Sequence, residues 1–152
     1  MSLELGRLSD SKPPFKYSAL DRVGFSDTDA QGIVYYGRYM PYFDLARVEY
    51  HRHLGMEYTG PREREFVMRA FTIEYLAPAR FDELVETFIR VSRIGRTSVT
   101  YDCAAYRQKD DVLMVTARQT LVLVELATHT AVPVPDSFRE LIRGFEGADL
   151  KE

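Results

Sequence analysis

Residues 27–55 read DTDAQGIVYYGRYMPYFDLARVEYHRHLG and join an acidic, glycine-containing loop to an amphipathic segment. Within that segment apolar side chains recur at spacings of three and four, which predicts an α-helix with a buried stripe. Pro41 is tolerated in the first turn of a helix, and Gly55 is a good C-terminal cap. The stretch therefore predicts one long helix over residues 38–54.

Five other segments show the alternation and the Val, Ile, Thr and aromatic content that are typical of β-strands. They are residues 15–25 before the helix and, after a polar loop over 59–65, residues 66–81, 83–95, 97–108 and 112–126. Short links between consecutive strands favour an antiparallel meander, and the helix must cover one face of the sheet to bury its stripe. A short closing helix is expected within residues 132–146. Its inward-facing side chains are predicted to be Phe138, Leu141, Ile142 and Phe145.

The chain of 152 residues is long enough for one domain and short for two. We expect a mobile leader over residues 1–14, a single α+β domain over 15–147 and a tail over 148–152. The formal net charge of -3 argues against a nucleic-acid partner, because such a surface needs a basic excess. No apolar run approaches the ~20 residues that span a bilayer, so no membrane partner is expected.

The single cysteine, Cys103, cannot form an intramolecular disulfide, and the N-terminal residues lack the charged-then-apolar pattern of a signal peptide. These two observations predict a cytoplasmic protein. One cysteine and three histidines, of which His51 and His53 do not share a helical face, form no plausible zinc set. No metal site is therefore predicted.

Asp27 and Asp29 lie in the loop that leads into the predicted long helix. The N-terminus of a helix presents unpaired N–H groups and a positive dipole end, which stabilise developing negative charge. A nearby carboxylate supplies a nucleophile or a general base, and together these groups meet the two requirements of acyl transfer. The spacing also fits acids that only cap turns, which is a common role of aspartate.

The segment FSDTDAQGIVYYGRYMPYFDLARVEY resembles the signature of the 4-hydroxybenzoyl-CoA thioesterase family of hotdog-fold proteins. The matching positions are Asp27, Asp29, Gly32, Val34, Tyr35, Tyr39, Asp44 and Arg47. A second block, IEYLAPARFDELVE, resembles the family's Tyr-x-x-Pro-Ala-x-x-Asp-x-Leu strand pair. The resemblance implies a hotdog fold, in which a five-stranded antiparallel sheet wraps around a long central helix and a short C-terminal helix follows.

The resemblance also implies an acyl-CoA thioesterase with no cofactor beyond the coenzyme A of its substrate. Asp29 matches the family's catalytic carboxylate, and Tyr36 matches the position whose backbone N–H polarises the thioester carbonyl. The substrate-binding candidates are Gly32, Tyr35, Tyr39 and Asp44, although Asp44 also has the spacing for an exposed ion pair with Arg47. The coenzyme-binding candidates, in a basic turn that also fits a solvated loop, are Arg93, Arg96, Thr97 and Ser98.

Some short-chain acyl-CoA relatives carry a histidine where this chain has Tyr36, and its absence points toward the 4-hydroxybenzoyl-type branch, which has a tyrosine there. Aromatic and aliphatic acyl groups both remain open. Two alternatives to hydrolysis are a hotdog hydratase or dehydratase and a non-catalytic acyl-CoA-binding protein. The hydratase would need an acid-base pair, usually with a histidine between the loop and the helix, and none lies there. Because a lone hotdog domain leaves an edge strand open, a homodimer or homotetramer is expected.

Overall fold

A computed structural model describes residues 3–56 and 62–152 of the chain, so the start of the polar loop expected at 59–65 lies outside the described residues. The α-helices within these described residues are α1 (Tyr39–His53) and α2 (Asp136–Glu146). The strands are β1 (Gly6–Leu8), β2 (Tyr17–Arg22), β3 (Arg64–Tyr75), β4 (Leu84–Ile94), β5 (Ser98–Arg107), β6 (Val112–Glu125) and β7 (Thr130–Ala131).

Helix α1 confirms the prediction for residues 38–54 to within one residue at each end. Its buried side chains include Tyr39, Phe43, Ala46 and Tyr50, which recur at the predicted spacings of three and four. Tyr42, Glu49 and His51 are also buried, so the helix is covered on more than one side. Gly55 follows the helix at a φ of 87°, a conformation that glycine adopts without a steric penalty.

The sheet confirms the α+β fold with a long helix packed against antiparallel strands, but the predicted meander is only partly right. The strand order is β1-β2-β4-β5-β6-β3, and β7 pairs with β6. Strands β4, β5 and β6 form the meander, whereas β3 pairs along its length with β6 and not with β4. The alternation of apolar residues identifies a strand and its inner face, but it does not identify the neighbour with which the strand pairs.

The chain crosses from β3 to β4 beneath the start of α1. The Leu76 amide donates to the Met114 carbonyl at 2.7 Å, the Ala79 carbonyl accepts from Val34 N–H at 2.8 Å, and the Glu83 carbonyl accepts from Val23 N–H at 2.9 Å. Residues 76–83 therefore run from the β6 side of the sheet to the β2 side. This crossing holds the loop that precedes α1 against the sheet.

The prediction of five strands is too low, because the described residues alone form seven. Strand β1 lies within residues 1–14, the expected leader, and pairs antiparallel with β2. The carboxylate of Glu4 accepts a hydrogen bond from the Tyr17 hydroxyl at 2.8 Å and lies 2.8 Å from His53 Nδ1. A three-residue strand in a polar, proline-closed stretch is too short to show an alternating pattern.

Helix α2 buries Phe138 and Ile142 as predicted, and Phe145 is partly buried against the core. Leu141 was predicted to point inward but is 43% exposed, because α2 contacts the rest of the fold through a stripe narrower than its apolar face. No helix in the described parts of the chain is long and apolar enough to cross a membrane.

Candidate active site

The loop that carries Asp29 is fixed by backbone hydrogen bonds. Asp29 N–H donates to the Ile33 carbonyl at 3.0 Å, and Gly32 N–H donates to the Asp29 carbonyl at 3.0 Å. Thr28 and Val34 form an antiparallel bridge on either side of this turn. Gly32 has a φ of 76°, which a residue with a Cβ adopts only with strain. These backbone contacts therefore hold Asp29 in one place.

The two carboxylate oxygens of Asp29 have different surroundings. Oδ1 accepts a hydrogen bond from Gln31 N–H at 2.8 Å, which orients the carboxylate. Oδ2 accepts no hydrogen bond from any described residue. The side chain is half-buried and lines a cleft, so Oδ2 is available to a substrate or to a water molecule.

Tyr36 begins the 3₁₀ turn Tyr36–Arg38, which leads directly into α1. Residues at the start of a helix have no intrahelical acceptor for their N–H groups. Within the part of the chain that the structure describes, the N–H of Tyr36 has no acceptor, while the preceding Tyr35 N–H donates to the Asp27 carbonyl at 2.9 Å. Tyr36 as a whole residue is 62% exposed.

Asp29 and Tyr36 line the same cleft, which has a volume of about 390 Å³. Its other walls are mostly apolar or aromatic, and they are formed by Gln31, Ile33, Val34, Tyr39, Tyr75, Leu76, Ala77 and Pro78. Burial raises the pKa of Tyr39 to about 12, so its hydroxyl stays protonated at neutral pH. The cleft thus brings the Asp29 carboxylate and the Tyr36 residue, at the start of the helix, beside an apolar chamber.

Asp27 ties this loop to the start of the helix. Its Oδ2 accepts from Gly24 N–H at 2.8 Å and from the Tyr42 hydroxyl at 3.0 Å, and its Oδ1 accepts from Arg38 Nη2 at 2.9 Å. Burial alone would raise the pKa of Asp27, but these donors outweigh it and leave the pKa below its usual range. Asp27 therefore orders the loop through a backbone N–H and through side-chain donors.

The remaining substrate-binding candidates lie at or beyond the edge of the cleft. Gly32 shapes the Asp29 turn, and the Tyr35 ring lies against the Tyr36 ring with centroids 4.2 Å apart. Asp44 is not a wall of the cleft; it forms an ion pair with Arg47 Nη2 at 2.9 Å, and Arg47 also donates to the buried Gln119 at 3.0 Å. The ion-pair alternative for Asp44 is the one that the structure contains.

The four coenzyme-binding candidates lie together where β4 turns into β5, but far from Asp29 in the same chain. Gly95 N–H donates to the Ser98 carbonyl at 2.8 Å and closes this turn, which also contains Arg96 and Thr97. The side chains of Arg93 and Arg96 are exposed and have no ion-pair partner in the described residues. β5 separates the turn from the cleft, and its ten residues span about 30 Å.

A second cleft, of about 430 Å³, lies between α1, α2 and the start of β3. It contains His51, whose Nε2 lies 2.6 Å from the Tyr101 hydroxyl and whose pKa is lowered to about 3 by burial and by the nearby Arg47. No group of three or more His, Cys, Asp or Glu side chains suited to a metal ion occurs in residues 3–56 and 62–152. None of the predicted site residues lines this second cleft.

Two residues near the cleft were not singled out from the sequence. Tyr75 belongs to the second matching block, IEYLAPARFDELVE, but its hydroxyl contact with Tyr36 depends on the fold. Arg38 precedes α1, and its ion pair with Asp27 spans eleven residues. A basic residue at the end of an acidic loop was the available signal for Arg38.

Three comparisons with known proteins agree with one another. The model of the Thioesterase superfamily matches residues 31–114, a range that contains Tyr36 and begins two residues after Asp29. The acyl-CoA thioester hydrolase YbgC of Escherichia coli is 35% identical over 82 residues, which cover 53% of this chain and only 61% of that relative. A putative esterase of Aquifex aeolicus is 30% identical over 122 residues, covering 79% of this chain and 92% of the relative. The crystal structure of a hypothetical protein from Aquifex aeolicus has a TM-score of 0.75 at 28% identity, covering 82% of this chain and 98% of that one.

Proposed function

Because the chain belongs to the thioesterase superfamily, we propose that it hydrolyses the thioester of an acyl- or aroyl-coenzyme A to the free acid and coenzyme A. The observation that carries this proposal is that one cleft is lined by Asp29 and by Tyr36, whose Oδ2 and N–H have no hydrogen-bond partner among residues 3–56 and 62–152. The E. coli relative, named an acyl-CoA thioester hydrolase, supports the same reaction.

The proposed reaction assigns a separate task to each of these two groups. The Tyr36 N–H, at the positive end of α1, donates to the thioester oxygen and stabilises the charge that develops there. In one route, Asp29 Oδ2 attacks the carbonyl carbon, coenzyme A leaves with the electrons of the carbon–sulfur bond, and water hydrolyses the resulting anhydride. In the other route, Asp29 takes a proton from the water molecule that attacks this carbon. Both routes consume one water molecule, and neither needs a cofactor.

The acyl group is proposed to enter the apolar part of the cleft. Tyr39 and Tyr75 meet edge to face there with ring centroids 5.8 Å apart, and Ile33 and Leu76 add aliphatic surface. Aromatic walls favour planar apolar groups through edge and face contacts, and they also accept aliphatic chains. We therefore propose an aromatic or medium-sized hydrophobic acyl group. A screen of aroyl- and alkanoyl-coenzyme A substrates, read as thiol release, tests the reaction and ranks the acyl groups.

We propose that the active form is a homodimer or a larger homo-oligomer, paired through β3. This strand has twelve residues, pairs only with β6 among the described residues, and leaves Val67 and Met68 39% and 44% exposed. A long unpaired edge with apolar side chains is a template for pairing with a second copy. If two β3 strands pair antiparallel about a two-fold axis, the Tyr75 end of one lies beside the Arg64 end of the other.

This arrangement would also bring the basic turn to the cleft. In the sheet, Arg64 pairs with Glu125, and Ser98 pairs with Val122, so the turn lies at the Arg64 end of its own sheet. The partner's Arg96 would then face the cleft of the first subunit and could hold the coenzyme phosphates, for which the guanidinium fork is well suited. The dimer would complete a site that each chain holds in two separate parts.

We expect light scattering of the purified protein to give the mass of two or four chains. Met68→Lys should shift the mass toward one chain, because it places a charge on the pairing edge. Met68 is already 44% exposed, so the subunit should remain folded by circular dichroism. A wild-type protein that is monomeric at micromolar concentration would contradict pairing through β3.

Arg96→Ala should raise the KM for an acyl-coenzyme A about tenfold and leave kcat unchanged, because the variant lacks a charge-assisted contact with a phosphate of the bound coenzyme. The comparison substrate is the same acyl group on N-acetylcysteamine, which has the thioester but no phosphates. Its KM should not change. Arg22→Ala, which removes an exposed arginine paired with Asp82, serves as the matched control. An equal effect on both substrates would contradict a phosphate contact.

For its location, we propose the cytoplasm. Cys103 is the single cysteine and is buried, so its thiol is not available for a disulfide with another chain. Burial raises the pKa of this thiol to about 12, which makes it an unreactive thiol. Such a chain gains nothing from an oxidising compartment.

A further inference from the structure

We propose that Tyr75 is a positioning residue that holds the oxyanion-binding turn through its hydroxyl group, a role that rests on the proposed function. Tyr75 is the last residue of β3, on a different element from the turn that carries Tyr36. Its hydroxyl donates to the Tyr36 carbonyl oxygen at 2.8 Å. The hydrogen bond therefore joins the sheet to the first residue of the turn.

Different contacts hold the peptide before Tyr36 and the peptide after it. Tyr35 N–H donates to the Asp27 carbonyl at 2.9 Å, and the Tyr35 carbonyl accepts from Arg38 N–H at 2.8 Å. Those bonds hold the peptide that contains the Tyr36 N–H. The Tyr36 carbonyl belongs to the next peptide, whose orientation relative to the cleft is tied to the sheet by Tyr75.

The Tyr75 side chain is itself held firmly enough to orient another group. Its ring meets the ring of Tyr39 at an interplanar angle of 63°, and Tyr39 is only 2% exposed. Tyr75 is nevertheless 47% exposed, so removal of its hydroxyl should change the stability of the fold little. The hydroxyl of Tyr75 can therefore position the turn that carries Tyr36 without being needed for folding.

Holding the turn matters to the reaction because an oxyanion donor acts only when it is already aimed at the developing charge. Donors that must reorient during the reaction lose most of their benefit, and small displacements of reacting groups reduce rates steeply. The hydrogen bond also polarises the peptide that contains Gly37 N–H. Loss of the hydroxyl should therefore affect the transition state more than substrate binding.

The test is the Tyr75→Phe variant, which removes the hydroxyl and keeps the ring. We expect kcat to fall about tenfold, KM to stay within about twofold of wild type, and the thermal midpoint to be unchanged. Amide hydrogen exchange at Gly37 and Arg38, followed by NMR without substrate, should become faster. The matched control is Tyr106→Phe, which removes the hydroxyl of a half-buried tyrosine on the outer face of β5 and should leave kcat unchanged.

Each result has a defined meaning. Unchanged kcat in Tyr75→Phe, or a rise in KM alone, would overturn the positioning role while leaving the proposed hydrolysis intact. Unchanged amide exchange at Gly37 would show that the hydroxyl does not hold the turn, and would overturn it as well. A wild-type protein that releases no thiol from any acyl-coenzyme A would overturn the proposed function itself, together with the role that depends on it.

Discussion

Asp29→Asn is expected to reduce kcat for the preferred acyl-coenzyme A by about 10³-fold. An amide is neither an adequate nucleophile nor a base, so both proposed routes lose their central group. The fold should survive, because the asparagine oxygen can still accept the hydrogen bond from Gln31 N–H. Thiol release measured alongside the thermal midpoint separates loss of chemistry from loss of folding.

Asp10→Asn is the matched control for this variant. Asp10 is exposed and lies in the segment before β2, outside the cleft, so the same change of charge should leave turnover at the wild-type level. If Asp29→Asn keeps more than about a tenth of wild-type kcat, Asp29 is not the group that attacks or activates water. The Tyr36 N–H would then remain as the donor to the thioester oxygen, and a group other than Asp29 would have to attack or activate water.

Tyr36→Pro is expected to lower kcat by about 10²-fold to 10³-fold, which is the usual cost of removing one oxyanion donor. Proline removes the backbone N–H directly, a change that no other substitution achieves. The position can accept it, because Tyr36 is the first residue of a 3₁₀ turn, where proline's fixed φ is suitable. The preceding Tyr35 has φ -59° and ψ 136°, which is the extended backbone that a residue before proline adopts.

Tyr36→Ala isolates the loss of the N–H from the loss of the ring. Alanine keeps the backbone donor and removes the same exposed side chain, so its kcat should stay within about threefold of wild type. Equal losses in the proline and alanine variants would mean that the ring is the functional part of Tyr36. Circular dichroism of both proteins verifies that α1 is retained.

Local patterns in the sequence predicted the helix well. The stripe of α1 and the cap at Gly55 depend on residues within a few turns of one another, so the sequence specifies them directly. The pairing of β3 with β6 brings together residues about fifty positions apart and skips β4 and β5. The alternation of apolar residues within β3 is the same whichever strand it pairs with. For this reason the predicted meander placed β3 beside the wrong neighbour.

The site also has features that local sequence predicts and features that only the fold determines. Asp29, Tyr36 and Tyr39 meet in one cleft because the loop and the start of α1 are adjacent in sequence. Arg93 and Arg96 were grouped correctly in one turn, but their distance from Asp29 follows from the strand order and not from any local signal. The contact from Tyr75 to the Tyr36 carbonyl also depends on where the end of β3 lies, so the motif identified the residue without its partner.

The turn around Asp29 is held by main-chain hydrogen bonds, whereas the chamber beside it is lined by side chains from that loop, from α1, from the end of β3 and from the segment after β3. Substitutions at Leu76 or Ile33 would alter the size of the chamber without removing any bond that fixes Asp29. Substitutions in the chamber can therefore change the preferred acyl group among descendants of one ancestor while the reaction itself is kept. Diversity of substrates should therefore accumulate in the walls and constancy in the turn.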